Sequence, residues 1–314
     1  LLNIRYEQLW DEAPLPNDNP NDAFRVIEGD FVTTEDGTGI VHTAPTFGAD
    51  DAKVAKLAIP PIPALLIEDE DKQLVPLVDL QGKFRKEIGS LGGKFVKNEY
   101  YDENDIPQKS VDVEIAIRLK EQNRAFKVEK YVHSYPNCWR TDKPILYYPL
   151  DSWFIKVNDK KERLVELNKT INWKPKSTGE GRFGNWLANA NDWNLSRSRF
   201  WGIPLPIWKS SDSKETIVIG SMLELKNEIK KSLSKGFMLK DPFDGFDPND
   251  MSDLNYNKID LHKNIVDNIV LCSASGKKMF RESDLIDVWF DSGSMPYAQW
   301  HYPFENKSKI ENGE

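Results

Sequence analysis

Segment 36–51 of the sequence, DGTGIVHTAPTFGADD, gathers one histidine, three glycines and a closing pair of aspartates within sixteen residues. His42, Asp50 and Asp51 could supply a metal ion with two or three ligands. Zinc takes three or four such ligands and hard ions take several carboxylates, and no HxH or HxxH pair is present. The whole chain has four histidines. The sequence therefore predicts that this segment holds no metal.

Two interpretations without a metal remain for the same segment. It contains no serine or cysteine nucleophile, although Thr38 and Thr43 could donate hydroxyl hydrogen bonds. One interpretation is a strand–loop–helix junction with a hydrogen-bonded histidine and two acids at the start of the helix. The other is a site in which glycines let a ligand approach the backbone, polar side chains orient a substrate and a water, and a carboxylate grips an ammonium group. Such a site suits an aminoacyl ester, and the residues alone leave both interpretations open.

Two strands and a helix must position these groups. Residues 24–44, FRVIEGDFVTTEDGTGIVHTA, are rich in β-branched residues and predict two strands joined by a polar turn. After Gly48, ADDAKVAKLA predicts a helix with both aspartates in its first turn, and IPPIP ends it. Downstream, Ser110 predicts the cap of a helix, VDVEIAIRLKEQNR, and the alternation of AFKVEKYVHSY predicts a strand.

The second half of the chain follows a predicted boundary near 133–145. Beyond it we expect a strand in ILYYPLDSWFIKV, helices around 158–170 and in GRFGNWLANANDW, and a loop, SRSRFWGIPLPIWK, that runs into a strand. Residues 210–280 are richer in lysine, aspartate and serine and predict a small insert, whose helix begins in a capping box at Ser221 and ends at Gly236. LIDVWFDSGS predicts a dense apolar strand followed by a turn.

Composition and charge narrow the possible classes of protein. The net charge of −8 argues against a nucleic-acid binder that relies on bulk charge, so any RNA contact must be local. No apolar run reaches the roughly eighteen residues of a membrane span, and the N-terminus shows no signal-peptide pattern. Two cysteines in 314 residues indicate a reducing compartment, so we expect a cytoplasmic protein. The chain starts without methionine and in mid-pattern, which predicts an excised fragment.

Two further groups of residues could form sites. Arg197 and Arg199 lie in an aromatic- and proline-rich run, where an arginine holds a phosphate or ribose, or stacks on tryptophan in a buried turn. Cys138 and Cys272 each lack the second thiol of a CxxC knuckle. The ligand count argues against zinc there and favours two buried or half-buried thiols.

Four segments of the chain, taken together and in order, carry a resemblance to a known family. They are GTGIVHTAPTFGADD, SYPNCWRTDKPILYY, DWNLSRSRFWGIPLPIW and DVWFDSGS. Together they resemble the isoleucyl-tRNA synthetases, which are class I aminoacyl-tRNA synthetases, from about residue 25 to 304. The valyl and leucyl relatives carry a histidine just after a Pro-Ala step, whereas His42 precedes Thr-Ala-Pro here.

The resemblance implies an editing domain that hydrolyses valine wrongly attached to the isoleucine tRNA. One missing methylene changes binding in an apolar pocket only modestly, a difficulty for which this family is the standard illustration, so a second hydrolytic site removes the smaller product. Carried over, His42 lines the side-chain pocket and Asp51 binds the α-ammonium of the ester. The predicted catalytic residues are Asp51, His42 and Thr43, and the predicted substrate-binding residues are Thr38, Gly39, Ala44, Pro45 and Asp50.

The same resemblance implies a domain organisation. Residues 1–135 are expected to form an N-terminally truncated editing domain with a mixed, mainly β, barrel-like α/β fold. Residues 136–208 are a linker that returns to the catalytic core, 209–284 a small degenerate zinc-knuckle-like insert, and 285–314 the start of the core return strand. The HIGH-type and KMSKS-type signatures are absent, so this piece is not expected to aminoacylate or to hold a cofactor. The parent enzyme is expected to use ATP and magnesium.

The implied partners are the acceptor end of tRNA(Ile) and its valine and isoleucine esters, with no membrane partner and a monomeric state. The implied activity is hydrolysis of the mischarged ester by a positioned water. An alternative is a non-catalytic module that only binds the acceptor end of the tRNA. A further alternative is a purely structural insert.

Overall fold

The computed structural model describes residues 1–35, 38–70 and 72–312. The chain folds into two units, Leu1–Leu150 and Asp151–Glu314. Both units combine short helices with short antiparallel strands, so the predicted mixed α/β class is confirmed. None of the described helices is long and apolar enough to cross a membrane. The four segments proposed from the sequence, and the boundaries between them, stay predictions.

The first unit is built around one small hairpin and two helices. The buried core beneath them consists of Ile67, Leu77, Ile88, Leu91 and Val111. In chain order its elements are α1 (Ala49–Leu57), β1 (Leu66–Glu68), β2 (Leu74–Pro76) and α2 (Val111–Glu121), with 3-10 turns at Pro20–Asp22, Lys86–Leu91 and Asn98–Tyr100. Strands β1 and β2 are antiparallel, with Ile67 opposite Val75.

Both helices expected in this unit are confirmed. Helix α1 begins after Gly48 with two aspartates in its first turn. The Ser110 hydroxyl accepts a hydrogen bond from the Val113 N–H and caps α2. In each case the residues that favour a helix start, two aspartates or a capping serine, lie within a few residues of it. The sequence alone therefore predicts where the helix begins.

The strands expected in 24–44 and 125–135 are wrong. The first region contains only an isolated bridge between Arg5 and Arg25 among its described residues. Ile40 and Val41 are 61% and 54% exposed. Residues 3–6 lie beside 24–26 and share three backbone hydrogen bonds with them, but among the described residues this pairing does not extend into a strand. The barrel-like fold of residues 1–135 stays a prediction.

The second unit contains a four-stranded antiparallel sheet in the order β7 (Thr216–Val218), β6 (Ile207–Ser210), β9 (Lys278–Arg281), β8 (Leu271–Cys272). Helix α6 (Met222–Ser234) packs on this sheet around a buried cluster that includes Trp208, Ile229 and Leu271. The unit's elements are β3 (Phe154–Ile155), α3 (Lys161–Asn168), α4 (Lys176–Glu180), α5 (Arg182–Ala188), β4 (Trp193–Asn194), β5 (Ser196–Arg197), β6 (Ile207–Ser210), β7 (Thr216–Val218), α6 (Met222–Ser234), α7 (Asp253–Tyr256), α8 (Lys263–Val266), β8 (Leu271–Cys272), β9 (Lys278–Arg281), β10 (Leu285–Ile286), α9 (Val288–Ala298) and α10 (Lys307–Glu311).

Helix α6 confirms the capping box expected at Ser221. The Ser221 hydroxyl accepts from the Glu224 N–H at 3.1 Å, and the Glu224 carboxylate accepts from the Gly220 N–H at 2.7 Å. The helix ends before Gly236, whose φ of 72° lies in the left-handed region that glycine adopts without strain. The helices expected around 158–170 and in GRFGNWLANANDW, and the strand after SRSRFWGIPLP, are also present.

The strand expected in LIDVWFDSGS is wrong beyond its first two residues. Only Leu285–Ile286 pairs as a strand, and the rest of the run lies in α9. The cause is Asp287, whose carboxylate accepts the Trp289 N–H at 3.1 Å and so caps the start of a helix. The apolar pattern of this short run did not distinguish a strand from a helix.

Asp287 joins three segments of the second unit. It is 4% exposed, and its Oδ2 accepts from the Trp193 indole N–H and from the Arg197 guanidinium. Its own N–H donates to the Leu195 carbonyl at 2.8 Å. The bond from the Trp289 N–H, followed by the Trp193 bond and the Arg197 charge, lowers the pKa of Asp287 although burial acts in the opposite direction.

We expect Asp287→Asn to destabilise the chain most at neutral pH. A carboxyl group whose pKa is lowered in the folded state contributes stability above its unfolded pKa, and loses it as the pH falls toward the folded value. The deficit should therefore shrink below about pH 4. Urea midpoints at several pH values measure this, with Asp291→Asn, an exposed acid in the same helix, as the control. Equal midpoints for the two variants at neutral pH would contradict the role of Asp287.

Candidate functional site

The loop that carries the predicted site is anchored at its centre by Thr46. The Thr46 hydroxyl donates to the Leu65 carbonyl at 3.2 Å and accepts from the Leu65 N–H at 3.0 Å. Next to it, the Phe47 ring meets Tyr148 edge-on, with 5.9 Å between ring centroids. These contacts fix the loop against the segment that leads into β1. Sequence analysis missed Thr46, because its partner lies nineteen residues away and leaves no local signal.

A tight turn brings the loop into α1. The N–H groups of Phe47 and Gly48 both donate to the Ala44 carbonyl, at 3.0 Å each. The Ala44 N–H donates to Oδ2 of Asp51 at 3.1 Å. Both backbone polar groups of Ala44 are therefore used, and the Asp51 carboxylate lies over the turn at the start of the helix, where the helix dipole favours a negative charge.

Position 48 requires glycine because the Asp51 side chain approaches it closely, and not because its backbone conformation is unusual. Its φ of −91° suits any residue. A Cβ added there would lie 2.3 Å from Oδ2 and 3.0 Å from Cβ of Asp51. The carboxylate can therefore reach Ala44 only because position 48 has no side chain.

The two adjacent aspartates face different surroundings. Asp51 is half-buried, whereas Asp50 is exposed. Consecutive residues on an α-helix point about 100° apart, so only one of the pair can lie against the turn. The carboxylate available for a ligand at this turn belongs to Asp51, and Asp50 faces solvent.

The remaining residues of the predicted site are less tightly gathered. Thr43 and Pro45 are half-buried on either side of Ala44, and His42 is exposed. Thr38 is exposed, and its hydroxyl accepts the Ile40 N–H at 3.3 Å. Gly39 has a φ of 73°, in the left-handed region. The structure thus brings Ala44 and Asp51 together, while no hydrogen bond between described residues joins Thr38 or His42 to them. Asp36 and Gly37 lie outside the described residues.

The residues of the turn are half-buried. Two pockets, of about 360 and 460 Å³, lie elsewhere, and neither is lined by residues 42–51. The smaller one lies beside the C-terminal half of α1, near the buried Arg25. A substrate at the turn would therefore rest on one wall.

A metal site finds no support among the residues that the structure describes. Within 1–35, 38–70 and 72–312, no three His, Cys, Asp or Glu side chains are grouped so that they could hold an ion. The absence of metal stays a prediction.

The two arginines singled out in the sequence lie in different surroundings. Arg197 takes part in the Asp287 contacts, and Arg199 is exposed.

Hydrogen bonds join residues 212–215, between β6 and β7, to residues 275–277, between β8 and β9. The Lys277 ammonium pairs with Asp212 at 2.5 Å, and the Ser275 hydroxyl and N–H both donate to Glu215. The Lys277 hydrogen bond is the largest cause of a lowered pKa at Asp212. Cys272 is a free and partly exposed thiol. The knuckle-like insert expected at 209–284 stays a prediction.

Comparison with known proteins finds similarity to one family, the tRNA synthetases. The family described as tRNA synthetases class I (I, L, M and V) matches residues 62–313, downstream of segment 36–51. Proteins named Isoleucine--tRNA ligase match with 60% identity over 322 residues in Cytophaga hutchinsonii, 55% over 331 in Bacteroides fragilis and 41% over 314 in Clostridium acetobutylicum. Each match covers 99% of this chain but 27%, 28% and 25% of the relative. The chain spans about a quarter of the length of these relatives.

We expect Gly48→Ala to displace the Asp51 carboxylate from the Ala44 N–H, because the new methyl group would occupy its place. Loss of a hydrogen bond to a charged acceptor should speed exchange of the Ala44 amide hydrogen by roughly tenfold. Amide exchange followed by NMR measures this. Gly293→Ala, where an added Cβ meets nothing within 4 Å, is the control. An unchanged Ala44 exchange rate in Gly48→Ala would show that the carboxylate does not depend on this glycine.

Proposed function

Since the chain belongs to the class I tRNA synthetases of the isoleucine, leucine, methionine and valine group, we propose that it is part of an isoleucine–tRNA ligase. We further propose that segment 42–51 forms one wall of an editing site that hydrolyses valyl-tRNA(Ile). The observation that carries this proposal is the half-buried Asp51 carboxylate, held over the Ala44–Gly48 turn by the Ala44 N–H.

The substrate's charge explains the choice of a carboxylate. An aminoacyl ester carries an α-ammonium group beside the carbonyl that water must attack. An ionised carboxylate has about four acceptor positions, so Asp51 can hold Ala44 and still accept from the ammonium. Fixing the ammonium fixes the neighbouring carbonyl carbon relative to the turn. Positioning of this kind lowers the barrier without a covalent nucleophile.

The reaction needs only a water molecule as co-reactant. Water adds to the ester carbonyl, the bond from that carbon to the ribose oxygen breaks, and valine and free tRNA leave. The negative charge that develops on the carbonyl oxygen would be stabilised by donors on the loop, and the Thr43 hydroxyl is the candidate nearest Ala44. Thr38, Gly39, Ala44 and Pro45 would shape the wall.

The wider assignment follows from the same family. We propose residues 1–135 as the editing domain with a mainly β, barrel-like fold, 136–208 as the linker, 209–284 as the insert and 285–314 as the return to the core. The parent enzyme would act as a cytoplasmic monomer on the acceptor end of tRNA(Ile). ATP and magnesium would serve its aminoacylation step, and no step of the editing reaction uses them.

A binding module is the second candidate, and the exposure of two predicted site residues favours it. His42 and Thr38 are exposed, and a single wall can hold an acceptor end without turning it over. Incubating this chain with valyl-tRNA separates the two. Release of valine above the rate in buffer supports hydrolysis, whereas saturable binding without release supports the module.

We expect Asp51→Ala, in the full-length enzyme, to slow valyl-tRNA deacylation by about tenfold or more, as for loss of one partner of a buried charged pair. Isoleucine-dependent pyrophosphate exchange should stay at the parental level. Asp50→Ala is the matched control, because it removes the exposed neighbour. A loss in Asp50→Ala without one in Asp51→Ala would reverse the assignment. No loss in either would favour the helix-capping interpretation.

We expect His42→Ala to change selectivity more than rate. If the imidazole limits the size of the amino-acid side chain, its removal admits one more methylene, and the variant should deacylate correctly charged isoleucyl-tRNA. The measurement is the ratio of deacylation rates for the valyl and isoleucyl esters, which should fall several-fold, within the range of energies that one methylene provides. An unchanged ratio would remove His42 from the pocket.

A further inference from the structure

Helix α1, which carries Asp51, is held only weakly by apolar packing. All nine of its residues are described, and Ala55 is the one among them that is buried. Val54 and Leu57 line the pocket of about 360 Å³ beside the C-terminal half of the helix, where they meet no packed core. A helix of this length is marginal on its own. Its direction therefore depends on the polar contacts at its two ends.

Arg25 supplies the polar contact at the C-terminal end of α1. Its Nη1 donates to the Ile59 carbonyl at 3.1 Å, and its Nη2 donates to the Pro60 carbonyl. Both carbonyls follow shortly after the helix, whose C-terminal end carries a partial negative charge and favours a cation. Arg25 is 7% exposed, so this contact lies inside the unit. The guanidinium thus ties the end of α1 to a segment that precedes the helix in sequence.

Arg25 is itself held in place from its other side. Its Nε donates to the Asp22 carbonyl at 3.3 Å, and its Nη1 also donates to Oδ1 of Asn3 at 2.9 Å. Backbone hydrogen bonds between residues 3–6 and 24–26 keep Asn3 beside Arg25. The five N–H groups of a guanidinium lie in one rigid plane, so fixing some of them fixes the direction of the others. Arg25 therefore forms a rigid link between this pairing and the end of α1.

The two ends of α1 are thus tied to different parts of the unit. At the N-terminal end the Asp51 carboxylate accepts from the Ala44 N–H, and at the other end Arg25 holds residues 59–60. From Asp51 to Leu57 the helix rises by about 9 Å. Over this length a helix moves as one body, so release of its C-terminal end would tilt its first turn. Such a tilt moves the Asp51 carboxylate relative to Ala44.

We propose that Arg25 is a positioning residue for the editing reaction and acts through Asp51. It sets the direction of α1, and so the place of the carboxylate that binds the α-ammonium of the ester. A displaced ammonium moves the ester carbonyl away from its aligned position and slows the chemical step. This catalytic consequence rests on the proposed function. The structural step, from Arg25 to the hydrogen bond between Ala44 and Asp51, is tested separately.

The first test follows amide exchange in this chain by NMR. Arg25→Met removes every donor of the side chain, and it should speed exchange of the Ala44 amide hydrogen by roughly fivefold. The Ile115 amide of α2 should change much less, which separates movement of α1 from global unfolding. Arg25→Lys keeps the charge with fewer donors and should give an intermediate rate. Arg124→Met is the matched control, because Arg124 also donates to two backbone carbonyls, but away from α1.

The second test measures deacylation of valyl-tRNA by the full-length enzyme. Arg25→Met should lower kcat by roughly fivefold and change KM by less than about twofold, because positioning is lost while the other contacts to the tRNA remain. In the Asp51→Ala background the same substitution should cause no further loss, because the carboxylate through which it acts is gone. Isoleucine-dependent pyrophosphate exchange should stay at the parental level in all of these variants.

The outcomes distinguish this inference from the proposed function. An unchanged Ala44 exchange rate, or equal acceleration at Ala44 and Ile115 in both Arg25 variants, overturns the inference. An equal loss of kcat with and without Asp51 also overturns it, because Arg25 then acts through another group. If Asp51→Ala slows deacylation and Arg25→Met does not, the editing proposal stands and this inference fails. If Asp51→Ala has no effect, the editing proposal fails and with it the catalytic role of Arg25, and Ala44 exchange still decides whether Arg25 places the carboxylate.

Discussion

The hydrogen bond from the Ala44 N–H to the Asp51 carboxylate is the contact on which the candidate site depends. It folds the loop back on the first turn of α1 and points one of two adjacent acids at the turn. Gly48 permits it by having no side chain, and Thr46 supports it by holding the loop to Leu65. A carboxylate held in this way is already oriented for a cationic group, so little rearrangement is needed on binding.

A second carboxylate plays the corresponding part in the other unit. Asp287 also accepts a backbone N–H at the start of a helix, and it adds an indole and a guanidinium as donors. Through these contacts it joins β5 to β10 and begins α9. Two of the four motifs that carry the family resemblance therefore contain an acid that fixes the backbone around it. At Asp51 the carboxylate also stays partly open, which makes a ligand role possible there.

The parts of the fold that the sequence predicted are those whose cause is local. Ser110 and Ser221 lie three residues from the N–H groups they cap, so their helices could be placed by inspection. The strands expected in 24–44 failed because a ladder needs a partner that periodicity does not reveal. The run around Asp287 predicts a strand because its apolar pattern does not distinguish a strand from a helix, although the bond that starts the helix, from the Trp289 N–H, is local. The side-chain partners Trp193 and Arg197 lie 94 and 90 positions away and leave no local signal. Within the site, helix geometry and the resemblance separated Asp51 from Asp50, whereas the contribution of Thr46 required the structure.

The most direct measurement is a structure with a non-hydrolysable valyl-adenosine ester analogue, obtained from crystals of the full-length enzyme. The account predicts the α-ammonium within hydrogen-bonding distance of the Asp51 carboxylate, the scissile carbonyl beside the Ala44–Gly48 turn, and the valine side chain toward His42. An analogue bound elsewhere, or bound at this turn with its ammonium on a group other than Asp51, would contradict it.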